Sequence, residues 1–416
     1  VNVAIFTDSY KPYVNGVSVS VSTFAGYLRA RGDTVRICAP GNPGYVDDDP
    51  DVLRFPSVRF RSRWLQYEPD YSMALGRFPG LPLLLERVFG ATTFVPTRRP
   101  ELRRALSAAQ IDVVHTQSPF AMGAEGARWA RRRRVPLITT FHTMYTEYTH
   151  YTPFIPEWIS KPTILRWVRN HCSLADIVIA PTNAIVAVLR EWGVKSPIEV
   201  LATGIDVRDF QGGNRQGTRE RLGIPPDSLT LLYAGRLAPE KNIPMLLQAL
   251  ARIAAVRKDA VLVFAGGGPS LQEITSLAEE MGLSRHVRFP GYAPREAMRD
   301  YYAAADVFTF PSLTETQGLV ICEAMAAGLP TVAADSPAAR SVLSDGEEGY
   351  LVPGEPEAMA NAVLRLADRG EEWHRLSDTG RVSALRFGVE EAGRKLRAIY
   401  CAAIDARGCG RQEGMC

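Results

Sequence analysis

Short runs of consecutive apolar residues, each tied to a helix-period segment, constrain this chain more than any other feature. VNVAIF (1–6) leads into GVSVSVSTFAGYLRARG (16–32), and TVRICAP (34–40) follows. IDVVHTQ (111–117), PLITTFH (136–142) and ADIVIAPT (175–182) continue the series, the last running into AIVAVLREWG (184–193). Strands that are apolar without alternation are buried on both faces, which is the signature of a parallel sheet covered by helices. The pattern restarts after residue 200 with LTLLYAGR (229–236), AVLVFAGGGPS (260–270), DVFTFPS (306–312) and PTVAAD (330–335). The expected fold class is therefore α/β, with two doubly wound, Rossmann-like halves. The boundary falls near VLATGIDVRDFQGG (200–213), giving domains 1–203 and 204–387. A last amphipathic stretch, Val389–Ala406, lies beyond the second half. A length of 416 residues fits two or three domains of roughly 100–200 residues each.

Between the early strands and IDVVHTQ the pattern dissolves. Residues 55–100 are rich in aromatic residues and arginine, and include VRFRSRW (58–64) and the apolar FPGLPLLLERVF (78–89). Residues 60–105 and 143–170 mix Trp, Tyr, Phe, Leu and Arg as an interfacial surface does. Arg98, Arg99, Arg103 and Arg104 cluster, and Arg131–Arg134 form a run. The net charge of only +3 argues against nucleic acid as a partner, so these clusters read as solvated faces or as a patch for an anionic membrane surface. Six cysteines without a CxxC pair suit a reducing compartment. A strand at the outset leaves no room for a secretory leader, and no apolar run approaches the ~18 residues needed to span a bilayer. The expected location is the cytoplasm, or the inner face of the cell membrane as a peripheral protein.

In open parallel sheets ligands bind beyond the carboxyl ends of the strands, so polar residues there carry the chemistry. GRLAPEKN (235–242) puts Arg236 at a strand end and Pro239 in the first turn of an expected helix, with Lys241 in that same turn. Two cations at a positive helix end call for an anion, and a phosphate site is the reading. Asn15–Gly16, in KPYVNGVSVSV (11–21), sits at a strand-to-helix turn where a glycine amide can approach an anion. AGGGPS (265–270) is another such turn but lacks GxGxxG spacing, which counts against a nicotinamide or flavin oxidoreductase. His142 ends a strand on the ligand-facing rim, whereas His115 reads as structural. In ETQGLVICE (315–323), Glu315 precedes a helix and Glu323 lies nearly two turns within it. Carboxylates accept hydrogen bonds from vicinal diols, and free amides at Gly318, Leu319 and Val320 can hold phosphate. Sugar, phosphate and ribose in turn describe a nucleotide sugar.

The GRLAPEKN segment, the AGGGP turn and the paired glutamates of ETQGLVICE resemble those of retaining family 4 glycosyltransferases of GT-B fold. FTDSYKPYVNGVSVSV (6–21) and FHTMYTEYTHY (141–151) resemble the branch that holds diacylglycerol glucosyltransferases, sulfolipid synthases and envelope-lipid mannosyltransferases. That resemblance, which covers nearly the whole chain, implies an interdomain cleft, an N-terminal acceptor-binding domain and a C-terminal nucleotide-sugar domain. It also implies that the final helix, about 388–416, crosses back to the first domain. By the same resemblance Arg236 and Lys241 bind the donor diphosphate, Glu315 holds hydroxyls of the transferred sugar and Glu323 holds the ribose. Gly16 lends its amide to phosphate, His142 contacts the sugar or diphosphate, and the base lies along Gly291–Arg295. Gln317 departs from the aromatic or small residue of many relatives. The implied reaction is transfer of a hexose with retention, UDP-glucose being the favoured donor, to a lipid hydroxyl such as that of diacylglycerol. A small soluble acceptor, or an epimerase or hydrolase of the same fold, is the alternative. Arg236, Lys241 and helix amides can do the work of a divalent ion, and Asp47–Asp51 (DDDPD) looks like an exposed loop, so neither a metal nor a cofactor is expected.

Overall fold

The computed structural model describes residues 1–60, 72–74, 91–94, 99–146 and 157–408. Arg61–Trp64, the FPGLPLLLERVF segment, Arg98, residues 147–156, Cys409 and Cys416 lie outside the described residues. The chain divides into two units, Val1–Gly204 with Val389–Cys416, and Ile205–Gly388. Both are built on parallel sheets, as GT-B glycosyltransferases are.

The first unit holds β1 (Asn2–Phe6), β2 (Thr34–Pro40), β3 (Val52–Phe55), β4 (Ser57–Phe60), β5 (Met73–Ala74), β6 (Ala91–Phe94), β7 (Val113–Thr116), β8 (Leu137–Thr140), β9 (Ile177–Ala180) and β10 (Ile198–Val200). Seven of them form one sheet in the order β10-β9-β8-β7-β1-β2-β3, every pairing parallel. Every residue of β7 and β8 is buried, which is why those runs do not alternate. The other three strands make a small antiparallel sheet, β5-β4-β6. It occupies the stretch that reads as patternless, because its strands are short and interrupted.

Helix Val389–Ala406 packs on helix Gly16–Ala30 within this unit. The approach is close: a Cβ on Gly393 would come 2.3 Å from the Tyr27 ring, so only glycine fits. Tyr400 reaches buried His115, its hydroxyl 2.7 Å from Nδ1, and Nε2 of that ring lies 2.7 Å from Oγ1 of Thr140. Arg397 pairs with buried Asp33. His115 is thus a structural tie between β7, β8 and the last helix. Arg131–Arg133 end the helix Ala121–Arg133, where cations complement the macrodipole.

The second unit holds β11 (Thr230–Ala234), β12 (Val261–Ala265), β13 (Val287–Gly291), β14 (Val307–Phe310), β15 (Thr331–Ala334) and β16 (Gly349–Val352), ordered β13-β12-β11-β14-β15-β16 and all parallel. Central β11, β12, β14 and β15 are buried along their whole length. One apolar layer, including Leu246, Leu250 and Ile253 of the helix Ile243–Val256, covers one face. A second, including Phe308, Ile321 and Met325, covers the other. Burying each such side chain contributes roughly 1.5–3 kcal/mol.

Candidate active site

In the second unit the strand order reverses beside β11, with β12 on one side and β14 on the other. Such a reversal opens a crevice at the carboxyl ends, because the loops leaving the two strands turn to opposite faces. The loop after β11 carries Arg236 and Lys241; the loop after β14 carries Glu315 and Gly318. Thr314 joins the two loops by donating its hydroxyl to the Glu240 carbonyl at 3.3 Å, and Nδ2 of the Asn242 side chain donates to the Pro311 carbonyl at 3.4 Å.

The loop after β11 does not enter a helix at Pro239, as the sequence suggests. Pro239–Lys241 is a single 3-10 turn, Asn242 takes a left-handed φ of 54°, and the α-helix starts at Ile243. The left-handed residue breaks the run, so Lys241 stands before the helix and not in its first turn. The neighbouring AGGGPS loop is laced to this segment. Leu237 donates its amide to the Gly267 carbonyl at 2.8 Å, and its own carbonyl accepts from the Ser270 amide at 3.0 Å. A Cβ on Gly266 would lie 1.9 Å from the Gly235 carbonyl oxygen, so this glycine serves loop-to-loop packing.

Both expected phosphate-binding cations already have carboxylate partners. Arg236 pairs with Glu240, and Lys241 pairs with Glu315, the latter with side chains 12% and 27% exposed. Charge alone therefore does not demand an outside anion, which corrects the argument made from two converging cations. What the crevice offers instead is partly desolvated ion pairs next to helix amides. Gly318 is the N-cap of helix Leu319–Ala327, with φ 72° and no side-chain cap bond. The first-turn amides of Leu319 and Val320 have no intrahelical acceptor. Glu323 is the fifth residue of that helix, little more than one turn in, and is buried with its carboxylate accepting from the Tyr302 hydroxyl at 2.8 Å. Burial raises its carboxyl above the usual range, while Arg295 and the Tyr302 bond pull it back down. Gln317 is buried beside this segment.

In the first unit His142 follows β8, and its Nε2 lies 2.6 Å from Oε1 of Gln117, which follows β7. Desolvation pushes its imidazole down to about 4, so it is neutral at physiological pH. Gly16 opens the helix Gly16–Ala30 behind Asn15, whose side chain accepts from the Ser18 amide while the Ser18 hydroxyl accepts from the Asn15 amide. A Cβ on Gly16 would meet nothing within 4 Å. Buried Asp8, after β1, accepts from the Ser118 hydroxyl at 2.5 Å and from the Met122 amide at 3.1 Å. The DDDPD loop is not simply exposed: Asp47, Asp49 and Asp51 pair with Arg54, Arg29 and Arg36. Among the described residues no three metal-ligating side chains gather as a site.

The second unit thus brings Arg236, Lys241, Glu315 and Gly318–Val320 to one strand reversal, with Glu323 on the helix that starts there. Gly16 and His142 belong to the first unit. Glu240, Tyr302, Gln117 and Asp8 were missed. Glu240 had a signal, four residues from Arg236; the others bond to partners at least 21 residues away.

Residues 14–209 match the model of Glycosyltransferase Family 4, and residues 214–383 match that of Glycosyl transferases group 1. The chain is 30% identical over 413 residues to an alpha-monoglucosyldiacylglycerol synthase of Streptococcus pneumoniae, covering 97% of this chain and 86% of that one. It is 34% identical over 257 residues to a D-inositol 3-phosphate glycosyltransferase of Catenulispora acidiphila, covering 58% and 60%. Among solved structures it resembles sucrose-phosphate synthase from Thermosynechococcus elongatus, with TM-score 0.74, 23% identity, and 97% and 99% of the two chains covered. It also resembles Anabaena Alr3699/HepE in complex with UDP and glucose, with TM-score 0.73, 19% identity, and 96% and 99% covered. With strand reversals of this kind in both units and both family models matched in sequence, the chain belongs to the family 4 glycosyltransferases of GT-B fold.

Proposed function

We propose that this glycosyltransferase moves a hexose, glucose from UDP-glucose being favoured, to a hydroxyl of a lipid such as diacylglycerol, with retention and without a divalent ion. The observation that carries the donor half is the crevice between β11 and β14, where Lys241 and Glu315 meet beside the amides of Leu319 and Val320. Lys241 and Arg236 supply positive charge to the departing diphosphate, joined by the Gly318–Val320 backbone and the Gly16 amide. Glu315 accepts hydrogen bonds from hydroxyls of the transferred sugar and Glu323 from the ribose. His142, neutral, contacts the sugar or diphosphate near the reacting bond. No second carboxylate is assigned as nucleophile; the leaving phosphate oxygen takes the acceptor proton as the sugar passes through an oxocarbenium-like state.

The lipid half rests on likeness to the diacylglycerol-modifying relative across 97% of the chain. It is supported by helix Glu157–Cys172, which leaves Trp158 77% and Trp167 46% exposed and also carries exposed Arg166 and Arg169. Large exposed aromatics among cations suit an anionic membrane surface. Among the described residues no helix is long and apolar enough to cross a membrane. Likeness to inositol-phosphate glycosyltransferases favours a second reading, a small soluble acceptor.

The test incubates the full chain with UDP-glucose, UDP-galactose, UDP-sulfoquinovose and GDP-mannose, each with diacylglycerol in anionic vesicles or with inositol phosphate, with and without EDTA. Products are read by mass spectrometry and the anomer by NMR. Glucosyl-diacylglycerol of retained configuration, formed equally in EDTA, is the expected result. Product from inositol phosphate alone overturns the lipid half; donor consumed with neither acceptor modified overturns the whole.

A further inference from the structure

Glu323 has only 11% of its side chain exposed. A carboxylate so far from water needs fixed donors, and a neighbouring helix supplies them. Tyr302, fully buried on the helix Arg295–Ala304, donates its hydroxyl to Oε2 of Glu323 at 2.8 Å. The same hydroxyl stands 3.4 Å from the Val320 carbonyl, so it also touches the first turn of the Glu323 helix. Arg295, on the same helix as Tyr302, places a guanidinium nitrogen 3.8 Å from Oε1. That guanidinium is drawn off by Asp209 at 3.9 Å and lies over the Phe210 ring, 5.4 Å from its centroid. The two oxygens are therefore held unequally, Oε2 by a direct hydrogen bond and Oε1 by a longer ionic contact.

We propose that Tyr302 is the positioning residue for Glu323, its hydroxyl fixing Oε2 so that Oε1 is presented to the ribose diol of the donor. This rests on the donor site described under the proposed function. Burial holds the Tyr302 hydroxyl well above its usual range, so it stays protonated and acts as a donor. The ring packs against Phe210 and Phe308 with centroids 5.8 Å apart in each case, contacts that phenylalanine would keep. Glu323 thus gains an orientation that its own helix does not provide.

The test is a double-mutant cycle on the full chain, with UDP and 2′-deoxy-UDP binding measured by calorimetry for wild type, Tyr302→Phe, Glu323→Ala and the double variant. Tyr302→Phe is expected to weaken UDP binding about tenfold, the size of one hydrogen bond to a charged group, and to shrink the preference for UDP over the deoxy compound. In the Glu323→Ala background it is expected to change nothing further. A wild-type preference retained in Tyr302→Phe, or an equal further loss in both backgrounds, overturns the positioning role and leaves the donor site standing. Wild type and Glu323→Ala binding UDP alike would overturn the donor site and this proposal together. Thermal unfolding of each variant separates lost binding from lost fold.

Discussion

Each unit has a sheet whose strand order reverses beside its first strand, β1 against β7 in one and β11 against β14 in the other, yet the helix starts at these reversals are finished differently. In the first unit Asn15 and Ser18 close a capping box, and Asp8 reaches from the β1 loop to the Met122 amide at the start of the helix that follows β7. In the second unit neither Asn242 nor Gly318 makes a side-chain cap bond. Helix amides left unmatched by the chain are open to solvent or to a ligand's oxygens. The charges differ too. The first unit's rim carries a neutral imidazole, that of His142, and the second unit's rim carries two ion pairs. A shared topology thus places an internal carboxylate at the helix start of one reversal and leaves the Gly318 helix start of the other without a side-chain cap.

The largest effect expected is on transfer itself. Lys241→Ala and Glu315→Ala should each lower turnover about 10³-fold, the scale of removing a preorganised electrostatic contact, with circular dichroism unchanged. Turnover within tenfold of wild type in either variant would break the assignment of chemistry to the second unit.

Acid should separate the units next. His115, His142 and His171 have folded values of about 3, 4 and 4, below the ordinary value near 6.5, because burial disfavours their charged form. Stability from keeping these rings neutral is fully present above about 6.5 and drains as pH falls toward 4, on the order of a few kcal/mol. Asp8 pulls the other way: burial raises its carboxyl, so its contribution is greatest in acid and is lost as pH rises through its folded value. Hydrogen exchange at pH 7 and pH 5, corrected for intrinsic rates, should show β7 and β8 loosening more than β11 and β14. Equal loosening would erase this part of the contrast.

The smallest effect sharpens the comparison most. Gly16→Ala meets open space and no positive φ, so stability should shift by less than about 1 kcal/mol. Donor affinity should nonetheless fall severalfold if the Gly16 amide approaches phosphate. Unchanged affinity would confine donor contacts to the second unit.

Much of this architecture was legible because buried parallel strands carry continuous apolar runs. Four strands of the second unit, β11, β12, β14 and β15, coincide with the runs LTLLYA, VLVFA, DVFTF and PTVAA. The antiparallel β4–β6 sheet was not, since short strands in an arginine-rich stretch imitate loop composition. Pro239 signalled a helix start correctly in kind but four residues early, because Asn242 turns left-handed after the 3-10 turn and the α-helix begins anew with Pro244 in its first turn. The candidate site residues were legible as types at strand ends. Their partners were not: nothing in the sequence joins Tyr302 to Glu323 or Gln117 to His142, since those bonds exist only after two elements dock.

The last helix, Val389–Ala406, is an integral part of a unit whose other elements precede residue 205. On a ribosome the first sheet emerges early, but Tyr27, Asp33 and His115 wait for Gly393, Arg397 and Tyr400 until the whole intervening unit has been made. The second unit is continuous in the chain and can close its core first. Synthesis therefore completes the two halves in the reverse of their genetic order, and a chain cut short before Val389 would carry a finished C-terminal half behind an N-terminal half still missing one wall.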